Sequence, residues 1–446
     1  MRILFVTNFY PPHGLGGQAH SCRQVVEGLQ QRGHRTLVLT SRHGVASDTG
    51  IGGPETANGV WRTLYLEMEL APWRHALAFF TARKRREEHN LQSVRRCLQA
   101  FEPHVVFVWG MWNLPRSLPA TIEQLAGPQT LYRFADYWPT LPSQHQLYWQ
   151  QPGRRWASRL ARKAVAPIAL SMLAREQGEV RLRFDNAYCV SAATRQALVQ
   201  SGVPVEHARV IHTGLDLEPF LSANGSGPRG AEQPDVKILY AGRLEETKGV
   251  DTLISAMAKL FAREMSPAHL RIAGSGSQRY EQQLRDLVSR RGLTHSVTFL
   301  GQVPAEEMVA LLHDAHIVVA PSRWPEPLAR IVLEAMAART AVIASRAGGT
   351  PEMIEDGYNG LLFDPDNSDE LAEKLEQLIA RPQWRAELAG CGRKTVMQRF
   401  TFDRMLDEIE LYLQEIAATR HPEQSKCHPE QSKCHPEQRE GSPTAP

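Results

Sequence analysis

Short apolar runs, each bounded by turn residues and separated by helical patterns, recur along most of the chain. In the first half they are Ile3–Val6, Thr36–Thr40, Val105–Trp109, Thr130–Phe134, Ala187–Val190 and Val210–His212. In the second half they are Ile238–Ala241, Leu270–Ala273, Val297–Leu300, Ile317–Ala320, Val342–Ala344 and Gly360–Phe363. A run that is apolar at consecutive rather than alternate positions suits a strand buried on both faces. Such strands, alternating with helices, form parallel sheets covered on both sides. Two sets in a chain of 446 residues, too long for one core, predict an α/β protein of two Rossmann-like domains.

The break between the sets falls at Ser222–Pro234, where Gly, Pro and Ser concentrate as in a linker. The expected organisation is a first domain over 1–218, a linker over 219–235 and a second domain over 236–400. In two such domains a ligand cleft faces the carboxyl ends of both sheets. Met405, Leu406, Ile409, Leu413 and Ile416 recur at helical spacing and predict a helix over 401–418. Residues 421–438 repeat His-Pro-Glu-Gln-Ser-Lys-Cys. The proline in each unit rules out a coiled coil, so 419–446 is expected to be a disordered tail without a metal.

Composition narrows the class. Hydrophobic residues make up 42% and charged residues 22%, as in a globular protein. A net charge of +3 points to no nucleic-acid partner. The six cysteines include no C-x-x-C pair and read as reduced thiols. Met1–Asn8 has too short an apolar run for a secretory signal and reads as a first strand. No apolar stretch is long enough to span a membrane. The expected location is the cytoplasm.

Candidate chemistry concentrates in Glu326-Pro-Leu-Ala-Arg-Ile-Val-Leu-Glu334-Ala-Met-Ala. Pro327 suits a first helical position, and Leu328, Ile331, Val332 and Ala335 mark a buried helical face. A helix N-terminus offers unpaired N–H groups to an anion. Glu326 would then stand beside a bound phosphate, with Glu334 deeper and facing hydroxyls. A nucleotide-sugar, with its diphosphate and ribose, suits both. An ordinary surface helix bearing two glutamates has the same spacing. Ala241-Gly242-Arg243-Leu-Glu-Glu-Thr-Lys248-Gly249 follows a strand and sets two cations where they can grip a diphosphate. A solvated charged turn is the plainer reading. Gly274-Ser-Gly276 is either a phosphate loop or a packing turn. Tyr10-Pro-Pro-His-Gly14-Leu-Gly16-Gly17-Gln-Ala-His20 lacks the G-x-G-x-x-G spacing, which argues against a dinucleotide cofactor.

The E-x7-E spacing, with Ile317–Ser322 before it and Ala341–Glu352 and Gly357–Phe363 after it, resembles the signature region of retaining glycosyltransferases of family 4. The likeness runs over roughly residues 1–415. It implies the GT-B fold, with the two domains facing a central cleft and the last helix crossing back to the first domain. It implies a nucleoside diphosphate-sugar donor and a glycan or lipid-linked acceptor. By the same resemblance Gly16 and Gly17 approach the donor phosphate and sugar, and Arg243 and Lys248 contact the phosphates. Gln302 and Val303 lie beside the base, and Glu326, Leu328, Ala329, Arg330 and Glu334 complete the donor site. Glu326 orients the sugar and Glu334 the ribose. Arg330 also has Glu334 as its i,i+4 neighbour, so a plain ion pair is the alternative.

Two positions depart from the family. Leu328-Ala329 stands where Phe-Gly is usual, and Ala135 replaces the histidine of a His-Asp-Tyr-Trp element. Asp136 is retained as the candidate contact to sugar or acceptor hydroxyls, and a turn-capping aspartate is the alternative. The implied reaction is front-face substitution without a metal, in which the leaving diphosphate takes the acceptor's proton. Asp364-Pro-Asp366 matches a D-x-D metal string, but it lies after the Gly360 run, far from the donor elements, and reads as coincidence.

Arg83-Lys-Arg-Arg86, Arg95-Arg96 and Arg154-Arg155 with Arg159, Arg162 and Lys163 lie near Trp73, Phe79, Phe80 and Trp156. They form either a solvated face or a contact with anionic membrane at its inner surface. A GT-B nucleotide-sugar epimerase and an inactive GT-B scaffold that binds nucleotide or glycan remain alternatives. A Rossmann oxidoreductase is weakest.

Overall fold

The computed structural model describes residues 1–13, 17–45, 59–68, 75–152, 156–177, 180–222, 235–262 and 268–419. Gly16, Trp73, Arg154, Arg155, most of the linker and the repeat tail lie outside them. Two parallel sheets form the frame. The first contains β1 (Arg2–Thr7), β2 (Arg35–Ser41), β3 (Val60–Leu64), β4 (Val105–Gly110), β5 (Thr130–Phe134), β6 (Ala187–Cys189) and β7 (Arg209–Val210). Their order is β3-β2-β1-β4-β5-β6-β7. The second contains β8 (Val236–Ala241), β9 (Ala268–Ala273), β10 (Val297–Gly301), β11 (Ile317–Ala320), β12 (Ala341–Ser345) and β13 (Leu361–Phe363), in the order β10-β9-β8-β11-β12-β13. Every pairing is parallel. This is the doubly wound α/β architecture that the apolar runs predict.

One strand escapes the pattern. β3 carries Arg62 at its centre, and that guanidinium donates to the carbonyls of Tyr10 (2.9 Å) and Pro11. An edge strand with a charge in its middle shows no continuous apolar run. In each sheet the strand order reverses once, between β1 and β4 and between β8 and β11. Ligand crevices open at such points, outside the carboxyl ends of the strands.

Phe402–Ala418 is a helix whose Met405, Leu406, Ile409, Leu413 and Ile416 are buried with Ile3 and Phe5 of β1 and Val25 and Leu29 of the helix Gly17–Gln31. The end of the second half thus packs on the first sheet. Leu406 lies so close to Gly28 that a Cβ there would stand 2.7 Å from its Cδ2. Backbone bonds from Leu215 N–H to Phe400 O (2.8 Å) and from Phe402 N–H to Leu215 O (3.0 Å) stitch the crossing point. Leu413 is fully buried, while Leu411 on the same helix is 56% exposed. Leu413→Ala should therefore cost about 2–5 kcal/mol, and Leu411→Ala about 0.5 kcal/mol or less. Urea midpoints of the two variants check this, and equal losses would contradict the packing.

Candidate active site

The loops after β8, β9, β11 and β12 are placed by close backbone contacts that only glycine permits. Gly249 has φ +67, and a Cβ on it would collide with Pro321 O. Gly274 has φ +140, and a Cβ on it would collide with Gly242 O. Gly274-Ser-Gly276 is thus a packing turn. It presses the loop after β9 onto the loop after β8, with Leu244 N–H on Ser275 O at 2.9 Å. The loop after β8 reaches the loop after β11 through Arg323 N–H and Trp324 N–H on Thr247 O, at 2.9 and 3.1 Å.

These contacts bring Lys248 onto Glu326. The ammonium is ion-paired with the Glu326 carboxylate, and Ser322 Oγ donates to the same oxygen at 2.8 Å. Both charged side chains are about four-fifths buried, at 19% and 18% exposure. Arg323 braces the loop from behind. Its guanidinium binds both oxygens of Asp251 (2.8 and 2.7 Å), Asp366 and Glu246 O. Asp366 therefore lies beside the loops that carry Lys248 and Glu326 rather than far from them, and Asp364 pairs with Arg346 at 3.3 Å. Both D-x-D carboxylates are occupied by arginines.

The helix after Glu326 begins later than Pro327 predicts. It spans Arg330–Ala337, with Ala329 extended at its N-cap. The cause lies in the turn after β12. Gly349 N–H donates to Glu326 O at 2.8 Å. Cβ atoms on Gly348 and Gly349 would strike the backbone of Glu326 and Pro327. Residues 326–329 are clamped as non-helical chain, bent at Pro327 and Leu328, and a residue before proline is disfavoured in the helical region in any case.

Across the cleft, Asp136 follows β5. It accepts from Gln18 Nε2 (3.2 Å) and from Trp138 N–H (3.2 Å), so it also caps the short turn Trp138–Thr140. Burial raises its pKa above the usual carboxylate value, with Gln18, the Trp138 amide and Arg133 opposing the rise. Gln18 also donates to Ala135 O (3.3 Å), so the position that lacks histidine still serves through its backbone. Tyr137 Oη donates to Pro325 O at 2.7 Å, and its ring meets Trp324 edge-on at 5.9 Å. Burial and then the charge of Arg330 lower the pKa of His20.

With this geometry in place, two family models match. Residues 15–219 match Glycosyltransferase Family 4, and residues 227–395 match Glycosyl transferases group 1. The chain belongs to the family 4 glycosyltransferases. An uncharacterized glycosyltransferase of Methanocaldococcus jannaschii is 26% identical over 416 residues, covering 92% of this chain and 96% of the relative. A glycogen synthase of Mycobacterium tuberculosis is 26% identical over 440 residues, covering 95% and 97%. Among solved structures, sucrose-phosphate synthase from Thermosynechococcus elongatus has a TM-score of 0.66 at 22% identity, covering 94% of this chain and 99% of that one. Anabaena HepE in complex with UDP has a TM-score of 0.62 at 21% identity, covering 93% and 100%. The fold is GT-B.

In this glycosyltransferase the site residues named from sequence fall into three groups. Lys248 and Glu326 meet, and Arg330 Nε meets Glu334 at 2.7 Å, so the plain ion pair is present. Asp136, at the end of β5, and Gly17, at a helix start, belong to the first domain. Gly17 is exposed at a helix start with open space where a Cβ would stand. Arg243 is 71% exposed and pairs with Glu245 at 2.7 Å. Gln302 is exposed, whereas Val303 and Leu328 are half-buried against the core of the second domain and Ala329 is buried in it.

Tyr137, Arg323 and Glu352 carry roles that sequence reasoning did not assign. Glu352 spans the domains. It accepts from the N–H groups of Ala192 (2.9 Å) and Ala193 (2.8 Å) at a helix start and from His212 (2.9 Å). Burial raises its pKa, but His212 and the two amides outweigh burial, and the net shift is downward. A depressed carboxylate contributes stability above its ordinary pKa and loses it as pH falls through the folded value. Glu352→Gln should cost about 1 kcal/mol or more at pH 7. That gap from wild type should close as pH falls below the ordinary glutamate value and through the lowered folded-state one. Urea denaturation at a series of pH values reads it, and a gap independent of pH would contradict the assignment.

Proposed function

We propose that the chain transfers a hexose, with retention, from a nucleoside diphosphate-sugar to a glycan or lipid-linked acceptor. The donor is UDP- or GDP-linked, and the setting is surface polysaccharide or glycolipid assembly in the cytoplasm. One observation carries this reading: the Lys248–Glu326 pair, largely buried, at the switch point of the second sheet and opposite Asp136. The Anabaena neighbours in complex with UDP and with UDP-glucose support the donor class.

The pair is a charge held in store. An arriving diphosphate is a stronger partner for Lys248 than one carboxylate, so the ammonium moves to phosphate. Arg243, exposed on the same loop, adds a second cation. Glu326, released, accepts hydrogen bonds from sugar hydroxyls, since a carboxylate beside phosphate is tolerated only where hydroxyls bind it. The acceptor hydroxyl oxygen attacks the anomeric carbon on the face from which the diphosphate departs. One C–O bond forms as the other breaks, and the hydroxyl proton passes to the leaving phosphate oxygen. Configuration is kept. The protein's contribution is position and charge, with Asp136 holding a sugar or acceptor hydroxyl. Because Lys248 and Arg243 supply the positive charge, no metal is called for.

Glu326→Ala should cut transfer about 10²-fold or more. It should leave UDP affinity intact or raised, because Lys248 loses its competing carboxylate. Lys248→Ala should weaken UDP instead. Transfer measured with UDP- and GDP-sugars, with and without EDTA, reads both variants. Unchanged turnover in Glu326→Ala would remove the carboxylate from the chemistry. Activity lost in EDTA and restored by Mn²⁺ would replace the cation scheme. Altered sugar released without acceptor would favour the epimerase.

Peripheral contact with anionic lipid belongs to the same reading, on a narrower base than the basic runs suggest. Arg83 is only 8% exposed and grips Glu176, so it does not belong to a charged face. Lys84 is 78% exposed, and Leu77 (70%), Phe80 (45%), Leu160 (63%) and Ile168 (60%) stand out on the neighbouring helices. Apolar groups beside cations suit a lipid interface. Among the described residues no helix is long and apolar enough to cross a membrane. Leu77→Ser with Lys84→Gln should abolish sedimentation with anionic liposomes at low salt. Sedimentation equal to wild type would leave a solvated face.

A further inference from the structure

β5 is an interior strand between β4 and β6, and every residue of Thr130–Phe134 is buried. One of them is Arg133, at 5% exposure. Its guanidinium carbon lies 4.2 Å from the centre of the Trp109 ring on β4. Nη1 has no hydrogen-bond partner, and neither has the hydroxyl of Tyr188, its register partner on β6. Arginine keeps its proton inside proteins, so this charge cannot be shed. A charge taken out of water without an anion is costly, and a ring face offsets only part of that cost. The mechanism above gives Arg133 no task.

Cys22, Tyr188 and Asp136 all feel its charge. Burial drives the Cys22 thiol and the Tyr188 phenol up, so both are neutral near neutral pH. Asp136 is left as the anion that can balance the arginine. A short chain of contacts joins the two. Trp109 Nε1, under the guanidinium, donates to Gln18 O at 3.2 Å, and Gln18 Nε2 donates to Asp136 at 3.2 Å. The other charges around Asp136 are matched or absent. Lys248 is paired with Glu326, Arg330 with Glu334 and Arg23 with Glu27. His20, lowered by burial and then by Arg330, adds no cation near neutral pH.

The protonation state of Asp136 decides what it can hold. Burial favours the neutral acid, and a diphosphate arriving in the cleft favours it further, because like charges repel. A protonated carboxyl turns one oxygen into a donor, whereas the anion accepts on both. Gln18 and the Trp138 amide already take part of that accepting capacity. A sugar or acceptor hydroxyl is held by what the anion has left.

We propose that Arg133 is a positioning residue: its fixed charge, held in the core against Trp109, keeps Asp136 an anion, and so an acceptor of hydroxyl hydrogen bonds, while a negative diphosphate fills the cleft. The proposal rests on the role of Asp136 in the transferase reading above, and its test separates the two. Transfer by the full chain, from the UDP- or GDP-sugar that the wild type uses, is followed from about pH 5.5 to about pH 8.5. Arg133→Met removes the charge and keeps the bulk. Its transfer should fall about tenfold or more at the acid end and return toward wild type at the alkaline end. Arg133→Lys should keep the wild-type profile. Arg133→Gln, a second removal of the charge, guards against misfolding of the Met variant. Urea midpoints give a readout free of substrate. A carboxyl raised further by loss of Arg133 contributes stability below its ordinary value and loses it as pH rises through the folded one. Arg133→Met should therefore lose ground on wild type as pH rises, and adding Asp136→Asn should remove that pH dependence. A transfer loss equal at every pH, a wild-type profile in both charge-removing variants, or a stability gap unaffected by Asp136→Asn would overturn the role of Arg133. Failure of both variants to fold would mark the arginine as structural and overturn it too. Unchanged transfer in Asp136→Asn would instead overturn the role of Asp136 in the transferase reading.

Discussion

Backbone touching backbone at the second switch point is the constraint on which the site depends. Three loops leave the carboxyl ends of β8, β9 and β11, and a fourth leaves β12. They approach so closely that Gly249, Gly274, Gly348 and Gly349 have no room for a side chain. Any Cβ there would push one loop off another, so the geometry of Lys248, Ser322 and Glu326 is inherited from these glycines. A site built on main-chain contact is stiff, which is what a mechanism relying on position and charge requires.

The two halves are held facing each other by polar contacts of modest number and by one apolar helix. Phe402–Ala418 supplies the hydrophobic share by completing the core under β1. Glu352, reaching the helix start at Ala192, and Tyr137, reaching Pro325, act nearer the cleft. Contacts made of a few hydrogen bonds can rearrange at low cost, whereas the buried helix cannot. The buried helix is therefore the costlier of the two connections to break.

Much of this was legible because parallel strands buried on both faces leave an uninterrupted apolar trace, and because glycine and proline mark the turns between them. β3 was not legible, since Arg62 interrupts it and the reason for Arg62 is a pair of carbonyls distant in sequence. The helix start was misplaced for a similar reason. Pro327 carries a sound local signal, but Gly348 and Gly349, which overrule it, come later in the chain. Arg83 and Asp366 looked free in sequence because their partners, Glu176 and Arg323, are far away along it. Spacing shows which residues share an element. It does not show which charges have already found each other.

The departure at Ala329 bears on the same point. A glycine is demanded where φ is positive or where backbone is closely approached. Ala329 has φ −75 and is buried, packed with Leu333 and Met336 in the core of the second domain. Its methyl therefore points into protein, and the helix N-terminus it precedes keeps its shape. The clamp by Gly348 and Gly349 acts at Glu326 and Pro327, upstream of the substitution. The carboxylate that matters is thus positioned independently of the residue that differs from the family pattern. Alanine at 329 therefore leaves the Lys248–Glu326 pair in place.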